Sequence, residues 1–311
     1  MELLIIGAGA MGGLFGALLA PHAAVSLLTT NQEHAAVMGG HGLTLVDLDG
    51  ATRRVPVRVL TDPQDYGRRA DVVLVCTKTR ATAQAAATAR DLLAADGLAL
   101  TLQNGLGNLE QLVAAVGAQR AAAGVTSQAA TLLAPGRVRH AGSGVTHLGF
   151  IRPPHGAMEP LLAATAAVFA AGGLTVHTSD LVLGRIWAKL FVNVGINALT
   201  ATLGCKNGEL LTLPGVAERM ARLVAEAMEV ARAEGIAFVD DPQEATRIVC
   251  QRTAENVSSM LQDVRQRRRT EIDAINGAIV AGGQAHGIAT PENELLCQQV
   301  REVEMSYDCA R

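Results

Sequence analysis

Six residues near the start of the chain, Gly7-Ala8-Gly9-Ala10-Met11-Gly12, constrain its fold more than any other stretch. They directly follow the apolar run Leu3-Leu4-Ile5-Ile6 and open a stretch with helical periodicity, residues 11–20. In that setting, strand before and helix after, a G-x-G-x-x-G pattern has a physical purpose. The first glycine permits a tight turn, the second lets backbone approach a pyrophosphate, and the third lets the helix pack closely on the strand, with phosphate held at the helix N-terminus. The pattern predicts a βαβ unit that binds a dinucleotide through residues 7–12, a reading preferred to a purely structural glycine turn.

The residues that follow keep the same alternation. Apolar runs at 25–28 and 72–76 precede helical stretches at 32–38 and 82–93, and further short runs at 98–102, 121–125, 145–149 and 174–177 extend the sheet. Alternating strands and helices imply a parallel sheet with helices on both faces. The alanine-rich segments 83–96 and 113–130 read as helix-friendly composition. From Ser179 strand-like runs give way to helical periodicity over 179–202, 215–234, 243–284 and 292–308, punctuated by Leu213-Pro214-Gly215 and Asp241-Pro242. The expected class is α/β, with a Rossmann-type parallel-sheet domain over 1–178 followed by an all-α domain over 179–311.

Composition narrows the function. The 311 residues exceed what one core usually supports, so two domains are expected. With 26 basic and 29 acidic side chains the formal charge is −3, which gives no field to attract nucleic acid. No uninterrupted apolar run reaches the roughly 18 residues of a membrane span. The start carries Glu2 and no basic leader, so no signal peptide is expected. Cys76, Cys205, Cys250, Cys297 and Cys309 are odd in number and scattered, as in thiols of a reducing cytoplasm. His22, His34, His140, His147 and His286 lack ligand-like spacing, and no metal is expected. The partner is then a small molecule, and a homodimer is left open.

Dinucleotide selectivity falls to the end of the second strand, Leu28-Thr29-Thr30-Asn31-Gln32-Glu33. Glu33 sits near the offset expected of a ribose-binding acid, but Thr30-x-x-Glu33 is also a helix capping box, the preferred reading. Arg53, Arg54 or Arg80 remain candidates for a 2′-phosphate.

A second constellation lies in 186–200, a segment apolar almost all round except for Lys189, Asn193 and Asn197. Spacing of i, i+4 and i+8 puts these three on one stripe. A solvated face would carry charges of both signs, so one Lys and two Asn in an apolar frame predict a dry polar pocket, with a solvent or subunit edge as the alternative. Desolvation lowers a lysine pKa and makes it a usable proton donor near neutrality. Downstream, Ser259 and Asp263 share a helical face that Glu271 continues two turns on, while Arg265, Arg267, Arg268 and Arg269 read as a solvated face.

Together these segments resemble the ketopantoate reductase (2-dehydropantoate 2-reductase) family. The resemblance runs from the first strand to Asn293 and is carried by the glycine pattern, Cys76-Thr77-Lys78, Leu102-Gln103-Asn104-Gly105, the 187–199 helix, Lys206-Asn207-Gly208-Glu209-Leu210, the 255–277 segment and 286–293. It implies a Rossmann domain, a helical domain, a cleft between them, and NADPH-dependent reduction of 2-dehydropantoate to D-pantoate on the way to pantothenate and coenzyme A. By position, it implies that Lys189 is the general acid and Glu271 its partner near the nicotinamide ribose. Asn193, Asn197, Asn207 and Ser259 would hold the substrate, with Asn104 at the junction of substrate and cofactor. Lys78 and the backbone around Ala130 would join Gly7, Ala8, Gly9, Ala10, Met11 and Gly12 as cofactor contacts. One departure is Thr30, which stands where NADPH-binding members commonly carry Arg, so NADH is left open beside NADPH. Two alternatives remain: a reductase of another branched 2-keto acid, and a redox sensor that binds dinucleotide without turnover.

Overall fold

The computed structural model describes residues 1–151, 158–238 and 240–307. These divide into two compact units, one of 1–103 with 108–182 and one of 104–107 with 183–311. The division read from the sequence at 178/179 thus stands beside a structural one at 182/183, with four residues of the first half going to the second unit.

In the first unit the strands are β1 (Glu2–Ile6), β2 (Ala24–Leu28), β3 (Leu43–Val46), β4 (Thr52–Val55), β5 (Arg58–Leu60), β6 (Ala70–Val75), β7 (Leu93–Thr101), β8 (Ala121–Thr126), β9 (Ala129–Ala134), β10 (Arg137–Gly142), β11 (Thr146–Gly149) and β12 (Val176–Thr178). The helices are α1 (Ala10–Leu19), α2 (Gln32–His41), α3 (Thr82–Leu92), α4 (Asn108–Val116) and α5 (Met158–Ala171). Eight strands form the main sheet in the order β12-β11-β8-β7-β6-β1-β2-β5. All pair in parallel except β11 with β8. The chain runs from β1 out to β2 on one side and returns to β6 on the other, a topological switch point at the carboxyl end of β1, where such sheets bind ligands.

The runs at 98–102 and 121–125 lie in strands of the sheet, as expected. Two sequence expectations are corrected. The alanine-rich stretch 83–96 is not helical throughout: helix α3 ends at Leu92, and 93–96 begin β7, where sheet pairing overrides alanine's helix propensity. A second sheet, β4-β3-β10-β9, went unread, since its strands are short and hold exposed arginines such as Arg53, Arg54 and Arg137. It packs against α1, which is buried over 12–19, while Phe15 meets Phe169 of α5 with ring centroids 5.4 Å apart.

The second unit holds α6 (Val182–Leu203), α7 (Val216–Ala233), α8 (Pro242–Arg252), α9 (Ser259–Arg265), α10 (Asn276–His286) and α11 (Pro291–Met305). The single long helix suggested by 243–284 is three helices, broken at 253–258 and again after Arg265, where Arg267 takes φ +53°. At 22 residues α6 is long and apolar enough to cross a membrane by length and composition. It is instead the core helix of this unit: Leu190, Phe191, Val194, Ile196, Ala198 and Leu199 are buried in a cluster with Leu223 and Val224 of α7, Ile279 of α10 and Leu296 of α11. A buried polar strap holds these helices in register. Asn276 Nδ2 donates to the Val194 carbonyl (3.2 Å) and to Asn293 Oδ1 (2.9 Å). Asn293 Nδ2 donates in turn to Glu226 Oε2 (2.7 Å), and the Glu226 carboxylate accepts the Glu292 and Asn293 N–H groups at the start of α11.

Candidate active site

The glycine turn has the predicted form. Gly7 takes φ +97°, and a Cβ there would fall 2.8 Å from the Thr77 nitrogen. At Gly12 a Cβ would lie 2.0 Å from the Gly7 carbonyl oxygen, so only glycine lets α1 sit this close to the turn. Gly9 differs: nothing lies within 4 Å of a Cβ built there. It is also the N-cap of α1 and supplies no side-chain cap. An uncapped helix N-terminus with open space at its first residue fits a pyrophosphate. Ala10 and Met11 in the first turn are both half-buried, Gly9 is exposed and Ala8 is buried.

Around the turn, Thr77 and Lys78 follow β6, and a network of Thr77, Thr82, Gln103 and Asn108 secures the end of β7. Gln103 Nε2 donates to the Thr77 carbonyl (2.9 Å) and to Thr82 Oγ1 (2.8 Å), whose hydroxyl donates to Asn108 Oδ1 (2.8 Å). Lys78 is exposed, and Ala130 is half-buried on β9. At the end of β2 the capping box is corrected: the N-cap of α2 is Asn31, whose Oδ1 accepts the His34 N–H (2.9 Å). Thr29 Oγ1 accepts the Asn31 N–H, Glu33 is exposed, and Thr30 presents an exposed side chain. Arg53 is paired with Asp47 (2.9 Å), and Arg54 and Arg80 are exposed.

In the second unit Lys189, Asn104 and Glu271 come together. Lys189 Nζ donates to Asn104 Oδ1 (2.8 Å), and Asn104 Nδ2 donates to Glu271 Oε2 (3.4 Å). Loss of hydration drives the Lys189 pKa down to about 8, partly offset by the Glu271 carboxylate, which favours the ammonium. Asn104 is held by the turn it begins. Gly105 takes φ +81° and abuts Ala274, where a Cβ would lie 2.3 Å from the carbonyl oxygen, and the Leu106 N–H donates to that same oxygen (2.9 Å).

Glu271 does not continue the Ser259 and Asp263 face. It follows the break after α9 and opens the 3-10 turn Ile272–Ala274, and it is 9% exposed. Glu304 of α11, itself buried, accepts the adjacent Thr270 N–H (2.7 Å) and pairs with Arg269.

Asn193 is half-buried and Asn197 buried on the Lys189 stripe, and neither amide side chain has a hydrogen-bond partner among the described residues. Ser259 is exposed, whereas its neighbour Ser258 turns inward, caps α9 through Leu261 N–H (3.1 Å) and accepts from Thr200 Oγ1 of α6 (2.7 Å). Asn207 Nδ2 donates to Thr253 Oγ1 (2.9 Å) and its backbone carbonyl accepts from Cys250 Sγ (2.8 Å), while its buried Oδ1 has no hydrogen-bond partner among the described residues. Sequence reasoning missed Ser258, Glu226, Asn276, Asn293 and Glu304; a polar residue at a helical position that reads as buried was the available signal.

A switch-point glycine turn lies in one unit; in the other, a desolvated lysine bonds an amide that in turn bonds a carboxylate, residue types of a nicotinamide-dependent oxidoreductase. Residues 3–153 match the family described as Ketopantoate reductase PanE/ApbA, and residues 182–304 match its C-terminal counterpart. The chain belongs to the ketopantoate reductase family. It is 40% identical over 304 residues to the 2-dehydropantoate 2-reductase of Halobacterium salinarum, covering 97% of this chain and 98% of that one. The PanE/ApbA family ketopantoate reductase of Ralstonia eutropha JMP134 superposes with a TM-score of 0.90 at 36% identity, covering 99% and 100% of the two chains. D-mandelate dehydrogenase, solved with NADH and anilino(oxo)acetate, also gives a TM-score of 0.90, at 28% identity and 99% of each chain.

Proposed function

We propose that this protein reduces 2-dehydropantoate to D-pantoate, with Lys189 as general acid. The observation that carries the reading is the desolvated Lys189 ammonium, its pKa brought to about 8 and its Nζ held 2.8 Å from Asn104 Oδ1. Residues 7–12, with Lys78 and the backbone around Ala130, would hold a reduced nicotinamide, which would supply a hydride to the keto carbon. Lys189 would give its Nζ proton to the carbonyl oxygen as the C=O π bond opens onto that oxygen, so the alkoxide that a ground-state ketone does not present would be stabilised as it develops. Asn104 keeps the ammonium aimed, and Glu271 keeps it protonated near neutrality. The amides of Asn193 and Asn197, with the Ser259 hydroxyl, hold the substrate carboxylate and hydroxyl; neutral donors bind the anion without adding charge beside Lys189. Asn207 joins them as a substrate residue through its unpartnered Oδ1, while its Nδ2 ties its turn to Thr253.

The expected cofactor is NADPH, with NADH as the competing choice because Thr30 places no cation at the end of β2. A second reading, reduction of another 2-keto acid, draws on the equal TM-score of D-mandelate dehydrogenase, whose structure carries NADH. The test follows loss of reduced-nicotinamide absorbance with 2-dehydropantoate and with the keto acid of mandelate, each with NADPH and NADH. Turnover of 2-dehydropantoate that collapses in Lys189→Ala supports the proposal. Turnover of the aryl acid alone replaces it with the second reading, and binding of a dinucleotide without any turnover leaves a sensor.

A further inference from the structure

A buried histidine lies against the glycine turn, and none of the chemistry above uses it. His34, on the first turn of α2, is 2% exposed. Its Nδ1 accepts the backbone N–H of Gly136, in the turn between β9 and β10, at 2.8 Å. A backbone N–H can only donate, so this nitrogen carries no proton and the ring proton sits on Nε2. Nε2 lies 2.7 Å from the Ala8 carbonyl oxygen and therefore donates to it.

Ala8 is the second residue of the glycine turn and stands just ahead of the α1 N-cap. The first carbonyl to accept inside the helix belongs to Gly9, from the Gly13 N–H at 2.8 Å. The Ala8 carbonyl thus lies outside the helical ladder, on a residue 1% exposed, where an unmet acceptor would be costly. The donation from His34 does more than satisfy it. No described peptide bond is cis, and in a planar trans peptide the C=O and the following N–H point to opposite sides. Drawing the Ala8 carbonyl towards α2 turns the Gly9 N–H away from α2, at the residue where nothing of the protein stands within 4 Å of a Cβ.

We propose that His34 is a positioning residue for the dinucleotide: it orients the Ala8–Gly9 peptide so that the Gly9 N–H is presented to the pyrophosphate. The inference rests on the reading of residues 7–12 as the dinucleotide turn.

Two near-isosteric substitutions separate its two bonds. The amide of Asn reaches about as far as Nδ1 and that of Gln about as far as Nε2. His34→Asn keeps an acceptor for Gly136 and removes the donor to Ala8; His34→Gln does the reverse. NADH and NADPH are titrated calorimetrically into wild type and both variants, thermal unfolding reports folding, and steady-state kinetics give KM for the keto acid. His34→Asn should weaken the better-bound dinucleotide about tenfold, the size of one lost hydrogen bond, while His34→Gln stays within about threefold and keto acid KM within about twofold. Wild-type affinity in His34→Asn overturns the proposal. So does equal weakening or equal unfolding of both variants, because His34 would then be a packing residue. A wild-type protein that binds neither dinucleotide fails at the underlying reading and takes this inference with it.

Discussion

The glycine turn after β1 and the polar stripe of α6, the two proposed ligand sites, are built by opposite routes. The turn offers backbone N–H donors, and its shape is set by the lack of side chains: Gly12 admits the helix and Gly9 leaves open space. On α6 the groups are side chains on a regular helix, and readiness comes from dehydration of Lys189 and from amides of Asn193 and Asn197 that have no partner among the described residues. The first kind of site is encoded locally and tolerates little change in backbone. The second depends on distant scaffolding, such as the Asn276 bond to the Val194 carbonyl in the middle of the stripe.

If the contrast holds, substitutions on the two sides should fail differently. Lys189→Ala should lower kcat by about a hundredfold to ten-thousandfold while dinucleotide affinity stays near wild type; comparable loss of dinucleotide binding would erase the distinction. Gly12→Ala should cost about 3 kcal/mol of stability in urea unfolding, because its Cβ meets backbone that cannot move aside. Gly9→Ala should cost only about 1 kcal/mol, the preference for Gly over Ala at an N-cap, yet weaken dinucleotide binding more than about tenfold. The pH profile tests the α6 side alone. With Lys189 near 8, kcat should fall as pH rises through about 8 and the ammonium loses its proton. Glu271 raises that pKa, so Glu271→Gln should move the alkaline limb to lower pH; a limb that stays in place assigns the profile to another group. The smallest effect concerns the end of β2. Asn31→Ala should cost about 1 kcal/mol through loss of the cap, whereas Thr30→Ala and Glu33→Ala should each change stability by less than about 0.5 kcal/mol.

The same contrast explains what could be read in the sequence. The turn was legible because each glycine answers a local steric demand, and the apolar runs placed every strand of the main sheet except the short, Arg58-bearing β5, though not the antiparallel pairing of β11 with β8. The α6 stripe was legible as periodicity, since i, i+4 and i+8 hold on any helix. The surroundings of Lys189 were not. Asn104 and Glu271 lie far from Lys189 in sequence, and their meeting depends on Gly105 seating against Ala274 and on the break after α9. Periodicity carried Glu271 onto the Ser259 face because a helical pattern continues through 266–271, where Arg267 takes a left-handed conformation. Capping went astray by one residue at Thr30 because Asn31 offers the same oxygen one position later.

The placement of residues 104–107 has a consequence for how this chain can be divided. The polypeptide passes from the first unit to the second at 103/104, returns at 107/108 and leaves again at 182/183. A piece comprising 183–311 alone would expose the face of Ala274 that Gly105 covers and would strip Lys189 of its amide partner. Lys189 and the amide that holds it are thus written in two separate parts of the gene, and a piece without residues 104–107 does not inherit that contact.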